Sequence, residues 1–118
     1  MTQDMTLNAR LDRLRQRFIQ TYYSRHDELE VLLDASLQSG LARNSMAEAE
    51  TILHKIAGSA GSLGMAQLGD AARSVETFIR AHLAQPAPDF EAMQTALNAY
   101  LDVSMDVCNP TERLLNVG

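Results

Sequence analysis

The placement of the prolines, together with the spacing of apolar residues, constrains the fold of this chain more than any other feature. The three prolines stand at positions 86, 88 and 110, so no proline interrupts a helix before residue 86. Apolar residues recur every three or four positions along most of the chain, which is the period of one helix face. β-Branched residues, which favour strands, are sparse. The sequence therefore predicts an all-α fold.

The first predicted helix is long. One apolar stripe continues from about Asn8 to Ser39, and Gly40 is a suitable residue for ending the helix. Ser24 and Asp27 offer an alternative N-cap pair that would break this helix near Ser24. The stripe consists of Leu11, Leu14, Phe18, Tyr22, Leu29, Leu32 and Leu33.

Two further helices follow from local capping signals. The second is predicted from Ser45, where Ser-Met-Ala-Glu has the spacing of a capping box, to about Leu63. Gly64 then ends it, because glycine tolerates the left-handed conformation found after many helices. The third helix begins near Met65 and ends before Pro86.

The last part of the chain predicts one more main helix and a short tail helix. Asp89 is suited to cap the fourth main helix. Asn109 and Pro110 have the pattern of a cap followed by proline at the first helical position, which opens a tail helix through Leu114. Because short connections favour antiparallel neighbours, the expected architecture is an antiparallel, up-down four-helix bundle.

Composition narrows the functional classes. The 118 residues suit a single domain over residues 1–118. The one cysteine, Cys108, excludes an internal disulfide and a cysteine-based metal site, which favours a reducing, cytoplasmic setting. No apolar run approaches the roughly 20 residues of a membrane span, and the polar N-terminus predicts no signal peptide. A net charge of −5 argues against nucleic acid as the main partner, because a phosphate backbone attracts basic surfaces.

One histidine of the second helix is predicted to face solvent. At roughly 100° per residue, His54 lies about 150° from the centre of the apolar arc of that helix. A histidine that served packing would lie inside this arc. The arc consists of Ala49, Ile52, Leu53, Ile56, Ala60 and Leu63.

Two glycines share the outward face with this histidine. Gly58 and Gly61 follow His54 by one and two turns, although each glycine inside a helix costs about 0.5–1 kcal/mol relative to alanine. Their presence suggests that a large partner approaches the imidazole closely. The alternative is that the two glycines allow close packing against a neighbouring helix.

These residues resemble the signature of the histidine-containing phosphotransfer (Hpt) domain family. The matching pattern is His54, then Gly58-Ser59-Ala60, then Gly64, and it continues with Leu68, Ala72 and Val75-Glu76, where the family tends to have a Leu-Glu pair. The resemblance implies a four-helix bundle and a function as a phosphocarrier, with His54 as the phosphoacceptor. It covers nearly the whole chain, although the other helices match only in pattern and length.

One position departs from the family pattern. Hpt domains usually carry a lysine three residues after the histidine, near the phosphoryl group, whereas this chain has Ala57 there. Lys55 projects about 100° around the helix from His54. Arg80, on the following helix, is placed where the family often has a basic residue. We expect Lys55, Gly58 and Arg80 to form the surroundings of the phosphoryl group.

The resemblance also implies partners. His54 would exchange a phosphoryl group with the aspartate of receiver domains in response regulators, in a relay that begins at a histidine kinase, hybrid kinases included. The receiver would supply a Mg²⁺, and this chain would bind no cofactor and act as a monomer. Nucleotide binding is not expected, because the chain has no G-x-x-x-x-G-K-[ST] loop. The expected docking surface surrounds His54 with Glu50, Thr51, Lys55, Ala57, Gly58 and Gly61, and Met46 or Met65 could join it.

Three other interpretations stay open at this stage. A phosphoacceptor domain of a histidine kinase would normally have an acidic residue directly after the histidine and a proline shortly beyond, and this chain has neither. A helical module that binds a partner without chemistry agrees with the alanine at position 57. A metal site formed by His26, His54 and His82 is disfavoured, because they lie on three different predicted helices.

Overall fold

Four helices make up the described part of the protein. The computed structural model describes the backbone of residues 2–108 and the side chains of residues 7–106. No strand occurs within that range. The helices are α1 (Thr2–Ser36), α2 (Ala42–Ser62), α3 (Ala66–Leu83) and α4 (Phe90–Cys108).

The helices form the predicted up-down bundle. Each helix packs against the next one in the chain, and α4 returns to pack against α1. The most extensive packing is between α2 and α3. The core is aliphatic apart from three aromatic residues, Phe18, Tyr22 and Tyr100, and the hydroxyl oxygens of the two tyrosines lie 2.7 Å apart in the interior. None of the helices in residues 2–108 is long and apolar enough to cross a membrane.

Helix α1 is continuous where the sequence offered an alternative break. Ser24 lies on its exposed face, while Phe18, Tyr22 and Leu29 form one buried stripe on either side of that position. The helix ends at Ser36, three residues before the predicted end, because the bonds Leu37 N–H to Asp34 and Gln38 N–H to Ala35 tighten the chain into turns. Gly40, with φ at 82°, lies in the connection that follows.

The predicted start of α2 at Ser45 is wrong. The helix begins at Ala42, and the N–H of Ser45 already donates to the carbonyl of Leu41 at 3.0 Å. Ser45 is therefore a buried residue inside the helix and no capping box forms there. Met46 is fully buried as well, so it is not available to a docking surface.

The turn between α2 and α3 determines how α3 packs against α2. Gly64 has φ at +73°, and the N–H of Met65 donates to the carbonyl of Ala60 at 2.9 Å. With the bond from the Gly64 N–H to the carbonyl of Gly61, this is a Schellman motif, which confirms Gly64 as the helix end. The motif reverses the chain within a few residues, so α3 packs back along α2.

The α2–α3 contact is close at Gly69. A Cβ atom at this residue would lie 3.4 Å from the carbonyl oxygen of Ala57 and from the N atom of Gly61, so the backbone of α3 packs directly on the backbone of α2 here. At α4, the carboxylate of Asp89 accepts a bond from the N–H of Ala92 at 3.0 Å, which confirms the predicted cap. The predicted tail helix through Leu114 and the side chain of Cys108 lie outside the described residues.

Candidate functional site

The imidazole of His54 faces solvent from the middle of α2. Its side chain is 73% exposed. A Cβ atom at Gly58 or at Gly61 would meet nothing within 4 Å, so neither glycine serves close packing against a neighbouring helix. Gly69 on α3 is the glycine that has that role. The outward face of α2 beyond His54 is therefore open at two successive turns.

A buried carboxylate on α3 holds the histidine ring. Nδ1 of His54 lies 2.6 Å from Oε2 of Glu76, whose side chain is only 5% exposed. A carboxylate can only accept a hydrogen bond, so Nδ1 carries the proton of this bond, and Nε2 has the lone pair whenever the ring is neutral. The sequence identified Glu76 only as part of a family motif and assigned it no role.

Arg80 bridges two carboxylates beside the ring. Its Nη2 donates to Oε2 of Glu76 at 2.5 Å, and its Nε donates to Oε1 of Glu50 at 2.8 Å. The hydrogen bond to Glu50 and the negative charge of Glu76 raise the pKa of the Arg80 guanidinium above its ordinary value. Arg80 therefore lies beside His54, but two of its donor groups are already bonded to carboxylates.

A shallow depression of about 260 Å³ adjoins the ring, and we call it the His54 depression. It lies between the exposed sides of α2 and α3. Arg73 and Thr77 belong to it, and both were missed by the sequence interpretation, which looked for positive charge only at Lys55 and Arg80. The complete lining is His54, Ala57, Gly58, Arg73, Glu76, Thr77 and Arg80.

The other residues predicted near His54 differ in exposure. Thr51 and Lys55 are exposed, with the Thr51 hydroxyl donating to the carbonyl of Ala47, and Glu50 is partly exposed. Ala57 is only 2% exposed, so the expectation that it contributes to a docking surface is wrong. Helix α2 is covered by both α1 and α3, which makes its buried arc wider than the arc expected from its apolar residues alone.

The three histidines are not brought together. His26 bonds through Nε2 to the carbonyl of Leu101, whereas Nδ1 of His82 bonds to the carbonyl of Phe78. His26 also forms a group with Asp27 and Glu30 whose potential ligand atoms lie within 4.8 Å of one another. This group was not predicted, and it is separate from the His54 depression.

Comparison with known proteins identifies one family. A family model described as the Hpt domain matches residues 13–103, a range that includes His54, Glu76 and Arg80. No curated protein matches the chain, and no solved structure does.

Proposed function

The chain belongs to the Hpt domain family, which functions in histidine phosphotransfer, and we propose that His54 is its phosphoacceptor. The observation that supports this assignment best is the bond between the exposed imidazole and the buried carboxylate of Glu76. It combines an accessible nucleophile with a partner that fixes both the tautomer and the orientation of the ring.

The proposed chemistry is a direct exchange between a histidine and an aspartate. The lone pair on Nε2 of His54 attacks the phosphorus of an aspartyl phosphate on a receiver domain. The N–P bond forms while the P–O bond breaks, and the electron pair of that bond returns to the aspartate carboxylate. Nδ1 keeps its proton, so the phosphorylated ring carries a positive charge. The same steps in reverse pass the phosphoryl group to a second receiver.

Glu76 assists this exchange by stabilising the positive charge that the ring acquires. The imidazole is neutral before the attack and positive afterwards, so a carboxylate 2.6 Å from Nδ1 stabilises the phosphorylated state and the transition state that leads to it. Arg80 acts on Glu76 rather than on the ring, because it bonds to the same carboxylate oxygen. We regard Arg80 as a positioning residue.

The proposed partners rest on membership of the Hpt family. Phosphoryl transfer needs positioning and charge neutralisation, and metal ions commonly provide the latter. We propose that the receiver domain supplies the Mg²⁺ and that a histidine kinase, alone or as a hybrid, feeds the relay. The chain would act as a monomer, since one His54 needs no second copy. The docking surface would consist of Glu50, Thr51, Lys55, Gly58 and Gly61 around the ring.

One observation favours the alternative of a binding module without chemistry. Where the family usually has a lysine, Ala57 is a small buried residue that brings no charge to the site. Such a module would bind receivers through the same surface without accepting a phosphoryl group.

Phosphorylation by a panel of labelled receiver domains separates the two functions. We expect acid-labile, base-stable label on the wild type and none on His54→Gln or His54→Ala, while His82→Gln, a change at a histidine outside the depression, is labelled normally. Receivers that bind the wild type without labelling it would support the binding module. Label that persists in both His54 variants would show that another residue is the acceptor.

A further inference from the structure

Phosphorylation of His54 would create a shortage of positive charge at the site. A phosphoryl group adds close to two negative charges. It would arrive beside the carboxylates of Glu76 and Glu50, which are already present. The phosphorylated state therefore needs a cation that the resting site does not already use.

Arg80 and Lys55, the two cations expected from the sequence, are poorly placed for this role. Arg80 keeps further N–H donors, but it binds both carboxylates through Nε and Nη2, so its single positive charge already faces two negative ones. Lys55 is exposed on α2 and is not among the residues that line the His54 depression. Neither side chain is thus ready to neutralise the new charge.

Arg73 is the cation in the right place whose charge is not already paired with the carboxylates beside His54. It lines the His54 depression. Its ion pair with Asp70 spans 4.0 Å between side chains that are 61% and 78% exposed, so this pair holds it weakly. Positions 73, 76 and 80 follow one another at three and four residues along α3, which places Arg73 on the same face as Glu76 and Arg80.

We propose that Arg73 binds the phosphoryl group on His54 and takes the role that a lysine three residues after the histidine has in the family. A guanidinium can donate two parallel hydrogen bonds to phosphoryl oxygens, which suits it to this task. In this arrangement Arg80 holds Glu76 and Glu50, and Arg73 neutralises the incoming charge. The inference rests on the proposed function of His54.

A small phosphoryl donor tests this role without receiver docking. Phosphoramidate transfers its phosphoryl group to an imidazole as its N–P bond breaks and ammonia leaves. We would measure the rate at which it labels His54 in the full chain, and the half-life of the phosphohistidine, for the wild type, Arg73→Ala, Arg73→Lys and Lys55→Ala, which tests the competing cation on α2. Thermal unfolding would verify that all four proteins are folded.

We expect Arg73→Ala to slow labelling by roughly tenfold, the effect of losing one charge-assisted hydrogen bond. Arg73→Lys should recover part of the rate, because it keeps the charge but not the paired donors. Added salt should slow the labelling of the wild type, and it should slow the labelling of Arg73→Ala less. A purely structural role would produce neither the partial rescue nor the change in salt dependence.

Two results would overturn the assignment. If phosphoramidate labels Arg73→Ala at the wild-type rate, Arg73 does not have this role. If labelling is slowed only in Lys55→Ala, the role belongs to Lys55. A separate measurement distinguishes this failure from failure of the proposed function. Inorganic phosphate titrated into the unphosphorylated protein should shift the NMR signal of the Arg73 side chain, even if no donor labels His54. A wild type that binds phosphate at Arg73 without being labelled would contradict only the function, whereas absence of both would contradict both.

Discussion

Replacing Glu76 with glutamine tests whether the carboxylate acts through the charge of the imidazole. Glu76→Gln keeps the size of the side chain and its ability to accept one hydrogen bond, but it removes the negative charge. The affected bond joins Nδ1 of His54 and Oε2 of Glu76 across 2.6 Å. We therefore expect slower phosphoryl transfer in a protein that is still folded.

The magnitude follows from the surroundings of this bond. Hydrogen bonds to charged groups contribute about 1.5–3 kcal/mol. Glu76 is buried, but the ring of His54 is mostly exposed, so solvent screening favours the lower end of that range. A loss of about 1.5 kcal/mol in the transition state corresponds to a rate roughly tenfold lower.

The assay is rapid-quench transfer from a phosphorylated receiver at saturating concentration, so that the transfer step rather than docking is measured. Glu50→Gln is the matched control, because Glu50 bonds to the same arginine without touching the ring. We expect this control to slow transfer much less than Glu76→Gln does. Wild-type rates in Glu76→Gln, or equal losses in both variants, would refute the argument that the bond to Nδ1 stabilises the charged ring.

Further predictions concern the glycines of α2 and of the turn that follows it. The double variant Gly58→Ala/Gly61→Ala should be more stable than the wild type by about 1–2 kcal/mol in urea unfolding, since both added Cβ atoms meet open space and alanine favours the helix. If the open face admits a receiver, the same variant should bind receivers more weakly while phosphoramidate labels it normally; unchanged receiver affinity would argue against docking there. Gly64→Ala should lower the unfolding free energy by about 1–2 kcal/mol, because φ at +73° is strained for any residue with a Cβ atom. Stability unchanged in Gly64→Ala would show that the turn relaxes into another conformation at no cost.

Much of the fold could be predicted from local patterns. Helix periodicity is a short-range property of the backbone, so the apolar spacing sufficed to predict four helices and the outward direction of His54. The helix ends that depend on the chemistry of a single residue were also predicted correctly, since Gly64 follows the end of α2 and Asp89 caps α4. The start of α2 was wrong because Ser45 has the residue type of a cap, but its burial is decided by the packing of the neighbouring helices.

The chemistry of the site depends on contacts that no local pattern encodes. Glu76 lies 22 residues after His54, and their bond exists because the turn at Gly64 and the close packing at Gly69 set the rotation and offset of α3 against α2. The sequence alone determines that a histidine faces solvent on a helix of an all-α bundle. Only the tertiary structure decides that its ring is held by a buried carboxylate, because the relative rotation of two helices depends on all the side chains between them.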